Sequence, residues 1–126
     1  MADQEQLAIL KQGVEVWNQW RKEHQDIRPD LSRADLSKEN LNRADLSGAD
    51  LSEANLQKAK LSGTYFNRAR LSGADLSGAY LARIRMWGYF LSGANLMEAD
   101  LSGADLSGAH LGGAELSEAN PSVEPT

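Results

Sequence analysis

The sequence predicts an all-β solenoid closed at its N-terminal end by a helical cap. Three observations carry that expectation. From Leu31 to Leu116 a large apolar residue stands at every fifth position without a slip of frame, eighteen positions in all. Two residues before each one there is nearly always an alanine, and after it a turn-prone pair such as Ser-Gly, Ser-Glu, Ser-Lys or Asn-Arg. Residues 3 to about 24 lack this beat and show a helical one instead. A period of five matches neither the period of about 3.6 of an α-helix nor that of about 2.0 of a strand.

The cap comes first along the chain. Leu7, Leu10, Val14 and Trp17 follow the i, i+3, i+7, i+10 spacing of one helical face, and Ile9, Val16 and Trp20 widen it. This is read as one capping helix within residues 1–28. Its polar face mixes Lys11, Glu15, Arg21, Lys22 and Glu23, which argues against an anchor on an anionic membrane. Ile27-Arg28-Pro29-Asp30 then leads out of the helix, because the residue before a proline avoids helical backbone.

The repeats occupy residues 29–120. A five-residue unit cannot bury its own leucine, so successive units must turn a corner and share one axis, with the coils pairing at about 4.8 Å. The central residues, among them Leu51, Leu71, Leu76 and Leu91, form the core, with alanine beside them inside and the Ser-Gly corners facing solvent. Four units per coil would use twenty residues. Beyond Asn120 the next central position is Pro121, which has no N–H for a ladder, so residues 121–126 read as a tail. A monomer is favoured, with an end-to-end dimer as the alternative.

Units such as Ala49-Asp50-Leu51-Ser52-Glu53, Ala74-Asp75-Leu76-Ser77-Gly78 and Ala94-Asn95-Leu96-Met97-Glu98 resemble the pentapeptide-repeat family, whose consensus is close to Ala-(Asp/Asn)-Leu-X-X. The resemblance covers roughly residues 29 to 120. It implies a right-handed quadrilateral parallel β-helix of about four and a half coils. The layout of a helix followed by a short repeat array is similar to small cyanobacterial members. Some members of the family inhibit or protect type II topoisomerases by imitating duplex DNA, which makes a gyrase modulator the alternative function.

Composition narrows the chemistry. Apolar residues make up 41% and charged residues 25%, so order must come from pattern rather than from excess hydrophobicity. The net charge of -5 disfavours nucleic acid as a partner. No apolar run is long enough to span a membrane. The absence of cysteine removes disulfides and thiolate metal sites, and a polar start without a signal-peptide layout gives a cytoplasmic expectation. The two histidines, His24 and His110, lie far apart, and no phosphate-binding glycine loop is present. A convex rod offers no pocket in which repeated Asp or Ser could become an acid, base or nucleophile. The expectation is a non-enzymatic protein without cofactor or metal.

Departures from the repeat locate the candidate site. Phe66 and Met86 replace the central leucine, and Glu39, Thr64, Ile84 and Tyr89 replace the alanine. With twenty residues per coil, Phe66 stacks on Met86 and Thr64 on Ile84, so one side of the core is locally bulkier. Around these columns the surface gains Tyr65, Arg68, Arg70, Tyr80, Arg83, Arg85, Trp87 and Phe90. Arginine with aromatics is the usual chemistry of an interaction hot spot. Tyr65, Arg68, Arg70, Arg83, Arg85, Trp87 and Phe90 are therefore the expected surface for an unidentified protein partner.

Overall fold

The computed structural model describes residues 2–82, 84, 95, 97 and 100. Its chain begins with two helices, α1 (Gln4–Lys11) and α2 (Val14–Glu23), and then enters the repeats. The single expected helix is thus two. Gln12 caps α1, and Gly13 follows at φ +123°, a backbone conformation that L side chains rarely adopt and glycine adopts readily. The i, i+3, i+7 spacing survives the break because both helices lay an apolar side on the same core. Leu10 and Trp17 are buried, and Leu7, Ile9, Val14 and Trp20 are half-buried against them. Val16 is 43% exposed and does not belong to that face. Arg21, expected on the polar face, is buried.

Past Pro29 every repeat is the same small device. The N–H of the central residue and that of the residue two places after it both donate to the coil above, as Leu31 does to the Asp50 carbonyl and Arg33 to the Ser52 carbonyl. The chain then turns, with Ala34 N–H closing on the Leu31 carbonyl at 3.1 Å. The residue before that alanine is left-handed at all ten successive corners from Arg33 to Gly78, with φ between 59° and 71°. This is the third position of a type II turn, the position that favours glycine. Glycine occupies it at Gly48, Gly63, Gly73 and Gly78; Arg33, Lys38, Arg43, Glu53, Lys58 and Arg68 hold it elsewhere.

Parallel bridges link residues twenty apart, as in Asp30 to Asp50, Asp35 to Asn55, Asn40 to Lys60 and Asp45 to Tyr65. Four units therefore make one turn of the solenoid. The four outward columns, one per face, are Asp30–Asp50–Arg70, Asp35–Asn55–Asp75–Asn95, Asn40–Lys60–Tyr80–Asp100 and Asp45–Tyr65. Inside, Leu51, Phe66, Leu71 and Leu76 have no exposed surface, and Thr64 and Ile84 are buried beside them. Thr64 can replace alanine there because its hydroxyl donates to the Leu41 carbonyl at 2.8 Å. Met86 and Leu91, also expected in the core, lie outside the described residues.

The two helices do more than cover the first coil. That coil has no coil below it, so the N–H and C=O groups of its outward residues would be left open. Asp3 N–H donates to the Asp30 carbonyl at 2.9 Å, and the Gln6 carboxamide accepts Asp30 N–H at 2.8 Å. On the adjacent face Trp17 Nε1–H donates to the Asp45 carbonyl at 2.7 Å, while Asn18 accepts Asp45 N–H at 2.8 Å. The buried Arg21 donates to the Ile27 and Ser47 carbonyls at 2.9 and 2.7 Å, with Asp45 as its counter-charge at 3.9 Å. Two faces of the open edge are therefore paired by one backbone N–H and three side chains that imitate a missing coil.

Candidate functional site

The outward residue of each unit is normally Asp or Asn, and its role is local. Its Oδ1 accepts the N–H of the residue two places on, at 3.0–3.2 Å for Asp30, Asp35, Asn40, Asp45, Asp50, Asn55, Asp75 and Asn95. Where that residue is Ser32, Ser37, Ser47 or Ser77, its hydroxyl donates to the same oxygen. These serines therefore do not simply face water, as the sequence suggested; they close the corner. The Ser32 and Ser37 hydroxyls, helped by the neighbouring N–H groups, hold the Asp30 and Asp35 carboxyls below their ordinary range. At Asp75 partial burial pushes the carboxyl up. The Ser77 hydroxyl and N–H and the Gln57 carboxamide outweigh it, so the net displacement is downward.

This ladder of satisfied corners breaks at Lys60, Tyr65, Arg70 and Tyr80, whose side chains offer no such acceptor. At Lys60 the break is repaired from below, since Asn42 Oδ1 accepts Ser62 N–H at 2.9 Å. At Tyr65 it is not. Ser47 N–H is held by Asp45, yet Asn67 N–H, one coil above it, has no acceptor among the described residues. Ser72 and Ala82, after Arg70 and Tyr80, are in the same position.

Of the residues expected to recognise a partner, Tyr65, Arg68 and Arg70 are exposed, Tyr65 by 58%. They do not share a flat face. Tyr65 and Arg70 lie on adjacent faces, and Arg68 sits at the corner between them. Tyr80, 50% exposed, stands above Lys60 on the other face that adjoins Tyr65. The surface wraps the rod as a belt: residues 54–74 carry Lys58, Lys60, Arg68 and Arg70 and no acid. Arg83, Arg85, Trp87 and Phe90 lie outside the described residues. Sequence reasoning missed that the Asn67 N–H has no acceptor among the described residues. The signal was available: reading only the residue before each central position gives Asp or Asn from Asp30 to Asn55, then Lys60, Tyr65 and Arg70.

Such a molecule is a repeat solenoid with a side-chain-paired end and one interrupted stretch of surface. Its repeats match the model described as pentapeptide repeats, in eight copies, over residues 30–68, 49–88, 69–113 and 94–120. The chain belongs to the pentapeptide-repeat family. Among solved structures it is similar to a pentapeptide-repeat protein of the Arabidopsis thaliana thylakoid lumen, at 36% identity and a TM-score of 0.69, covering 72% of this chain and 63% of that one. A pentapeptide-repeat protein of the cyanobacterium Cyanothece 51142 gives 40% identity and a TM-score of 0.68, covering 75% and 63%. HetL of the cyanobacterium Nostoc, involved in heterocyst differentiation regulation, gives 31% identity and 0.52, covering 75% and 58%. The match spans less than two thirds of the length of each of these three proteins. No curated protein matches the chain. Among the described residues no helix is long and apolar enough to cross a membrane.

Proposed function

We propose that this protein is a non-enzymatic binding module whose rigid coil presents the Arg/aromatic belt to a protein partner. The observation that carries the reading is the interrupted ladder. Regular units satisfy their corner N–H groups with an outward Asp or Asn, whereas Tyr65, Arg70 and Tyr80 replace that residue with exposed rings and a guanidinium group, and Arg68 adds a second guanidinium at the corner between two of them. Tyrosine and arginine are the residue types that most often dominate binding energy at interfaces. In this reading Arg83, Arg85, Trp87 and Phe90 extend the belt. The coil continues, right-handed and four-sided, to about residue 120, giving about four and a half turns. Membership of a family of structural repeat proteins supports the absence of an enzymatic role. Imitation of DNA is opposed by the acid-free stretch of residues 54–74.

The cytoplasm is the proposed compartment, in keeping with a chain that has no cysteine. The protein is proposed to act as a monomer. The test is quantitative affinity capture with immobilised wild type, with Tyr65→Ala/Arg70→Glu/Tyr80→Ala, and with Arg85→Glu/Trp87→Ala, each checked for unchanged unfolding. A protein retained by the wild type and lost from both variants supports the belt. Equal retention by all three refutes it.

A further inference from the structure

We propose that the junction between the cap and the coil is a carboxylate-binding groove, and that its occupant is an extended acidic segment of the protein partner. This rests on the binding-module reading and assigns it a place and a chemistry. Two clefts meet at this junction. One, of about 530 Å³, lies between the linker Gln25–Arg28 and the corner Gly48–Arg68. The other, of about 360 Å³, lies between Asn18 and Lys22 of α2 and Tyr65 of the coil. Ser47 and Asn67 line both, so the two form one path across the end of α2.

The chemistry of that path is that of an anion acceptor. Asn67, which lines both clefts, carries the N–H that has no acceptor among the described residues, Tyr65 standing where other units have Asp or Asn. One coil below, the equivalent Ser47 N–H is held by the Asp45 carboxylate at 3.1 Å. A carboxylate entering from outside would complete the same bond that the chain completes for itself elsewhere. Cations flank the position. Arg28 reaches along the corner, donating from Nε to the Gly48 carbonyl at 2.8 Å and from one Nη to the Arg68 carbonyl at 3.3 Å, and its other Nη has no partner among the described residues. Nothing lies within 4 Å of the position that a Cβ at Gly48 would take, so the floor between Arg28 and Arg68 is open.

Arg68 supplies the second argument. It holds φ +63° at a corner where glycine would be unstrained, and it is exposed. Arg33 tolerates the same strain while pairing with Glu53 at 2.9 Å; the Arg68 guanidinium has no such partner among the described residues. Lys38, Arg43 and Lys58 hold the same conformation, also without an ion pair among the described residues; what sets Arg68 apart is its place in the cleft beside Asn67. Lys22 adds an exposed ammonium on the helix side; of the two acids that line the clefts among the described residues, Asp26 is exposed and Asp45 is already held by the Ser47 N–H and hydroxyl and faces Arg21. The Tyr65 ring offers an apolar wall to the segment between its charges.

The test uses the full chain and a defined probe: a fluorescent, end-blocked dodecapeptide of alternating Asp and Gly, its Asn/Gly counterpart, and a dodecamer of thymidine. Anisotropy is read at about 50 mM salt, where surface electrostatics is weakly screened. The Asp peptide is expected to bind saturably and the Asn peptide about tenfold more weakly. Asn67 occupies the second position of a type II turn, where proline is favoured; Asn67→Pro removes the N–H together with the carboxamide and is expected to weaken the Asp peptide about tenfold with unfolding unchanged, whereas the control Asn67→Ala, which keeps the N–H, is expected to bind within about twofold of wild type. Arg68→Gly is expected to weaken it similarly while raising the melting temperature, which keeps the result distinct from loss of fold.

Absence of saturable binding up to about 1 mM overturns the groove. So does equal binding of the Asn peptide, tighter binding of the thymidine dodecamer, or wild-type affinity in Asn67→Pro and Arg68→Gly. If those two variants bind normally while Arg70→Glu/Tyr80→Ala does not, the groove is refuted and the wider belt stands.

Discussion

Trp17→Phe is expected to show how the cap is attached. The Trp17 ring has no exposed surface, and its Nε1–H is the donor to the Asp45 carbonyl at 2.7 Å on the open edge of the first coil. Phenylalanine keeps most of the apolar contact and deletes the donor. Leaving that part-buried carbonyl without its donor costs about 1–3 kcal/mol, and the missing ring leaves a void worth about 1 kcal/mol more. The expected loss is thus about 2–4 kcal/mol. Trp17→Ala adds the remaining contact and is expected to lose about 3–5 kcal/mol. The control is Trp20→Phe. Trp20 is half-buried and stacks on Trp17 and His24 at 5.2 and 4.7 Å, a stacking that phenylalanine can keep, so its cost should stay below about 1 kcal/mol. Urea unfolding followed by far-UV circular dichroism gives each value at a constant slope. A loss below about 0.5 kcal/mol for Trp17→Phe, or equal losses for the two phenylalanine variants, would refute the keyed attachment.

The remaining predictions concern the corners, acid and topoisomerases. Gly73→Ala and Gly78→Ala place a Cβ 3.2 Å from the Cγ of Glu53 and of Lys58 at a left-handed φ, whereas Gly48→Ala meets nothing within 4 Å. All three should destabilise by about 1–2 kcal/mol from backbone strain, Gly48→Ala the least, as read from melting temperatures. Lys38→Gly relieves the same strain at φ +62° and should stabilise by about 0.5–1 kcal/mol. Because the Asp30, Asp35 and Asp75 carboxyls are held below their ordinary range, the stability they contribute is fully present above pH of about 4 and is lost as pH falls through their folded values. Melting temperature against pH should fall on the acid side, and Asp30→Asn/Asp75→Asn should flatten that fall, since Asn40 and Asn55 already fill the same role without titrating. A gyrase supercoiling assay at micromolar protein should show neither inhibition nor protection.

The sequence carried the solenoid further than the cap. Every fifth residue from Leu31 to Leu81 is buried, because a strict period leaves no second arrangement in which eleven large side chains share one axis. The cap was harder to read. Gly13 stands in the middle of a good helical spacing, and its φ of +123° is set by how two short helices lie on one coil. Arg21 reads as a surface residue by type, yet the open edge at Ser47 needs a long donor, and that need exists only once the coil has formed. The belt was legible as composition through Tyr65, Arg68 and Arg70. Its wrapping around a corner became visible only with the register, and the Asn67 N–H without an acceptor among the described residues only with the bond that Asp45 makes one coil below.

Residue-resolved amide hydrogen exchange, with and without the Asp/Gly dodecapeptide, tests the central claim most directly. In the free protein the Ser47, Ser52 and Ser77 amides, each held by an outward Asp, should exchange slowly, and the Asn67 amide should exchange fast. Saturating peptide should slow Asn67 about tenfold or more while leaving Ser52 and Ser77 unchanged. An Asn67 amide as protected as Ser47 in the free protein, or one indifferent to the peptide, would contradict an interrupted surface that a partner's carboxylate completes.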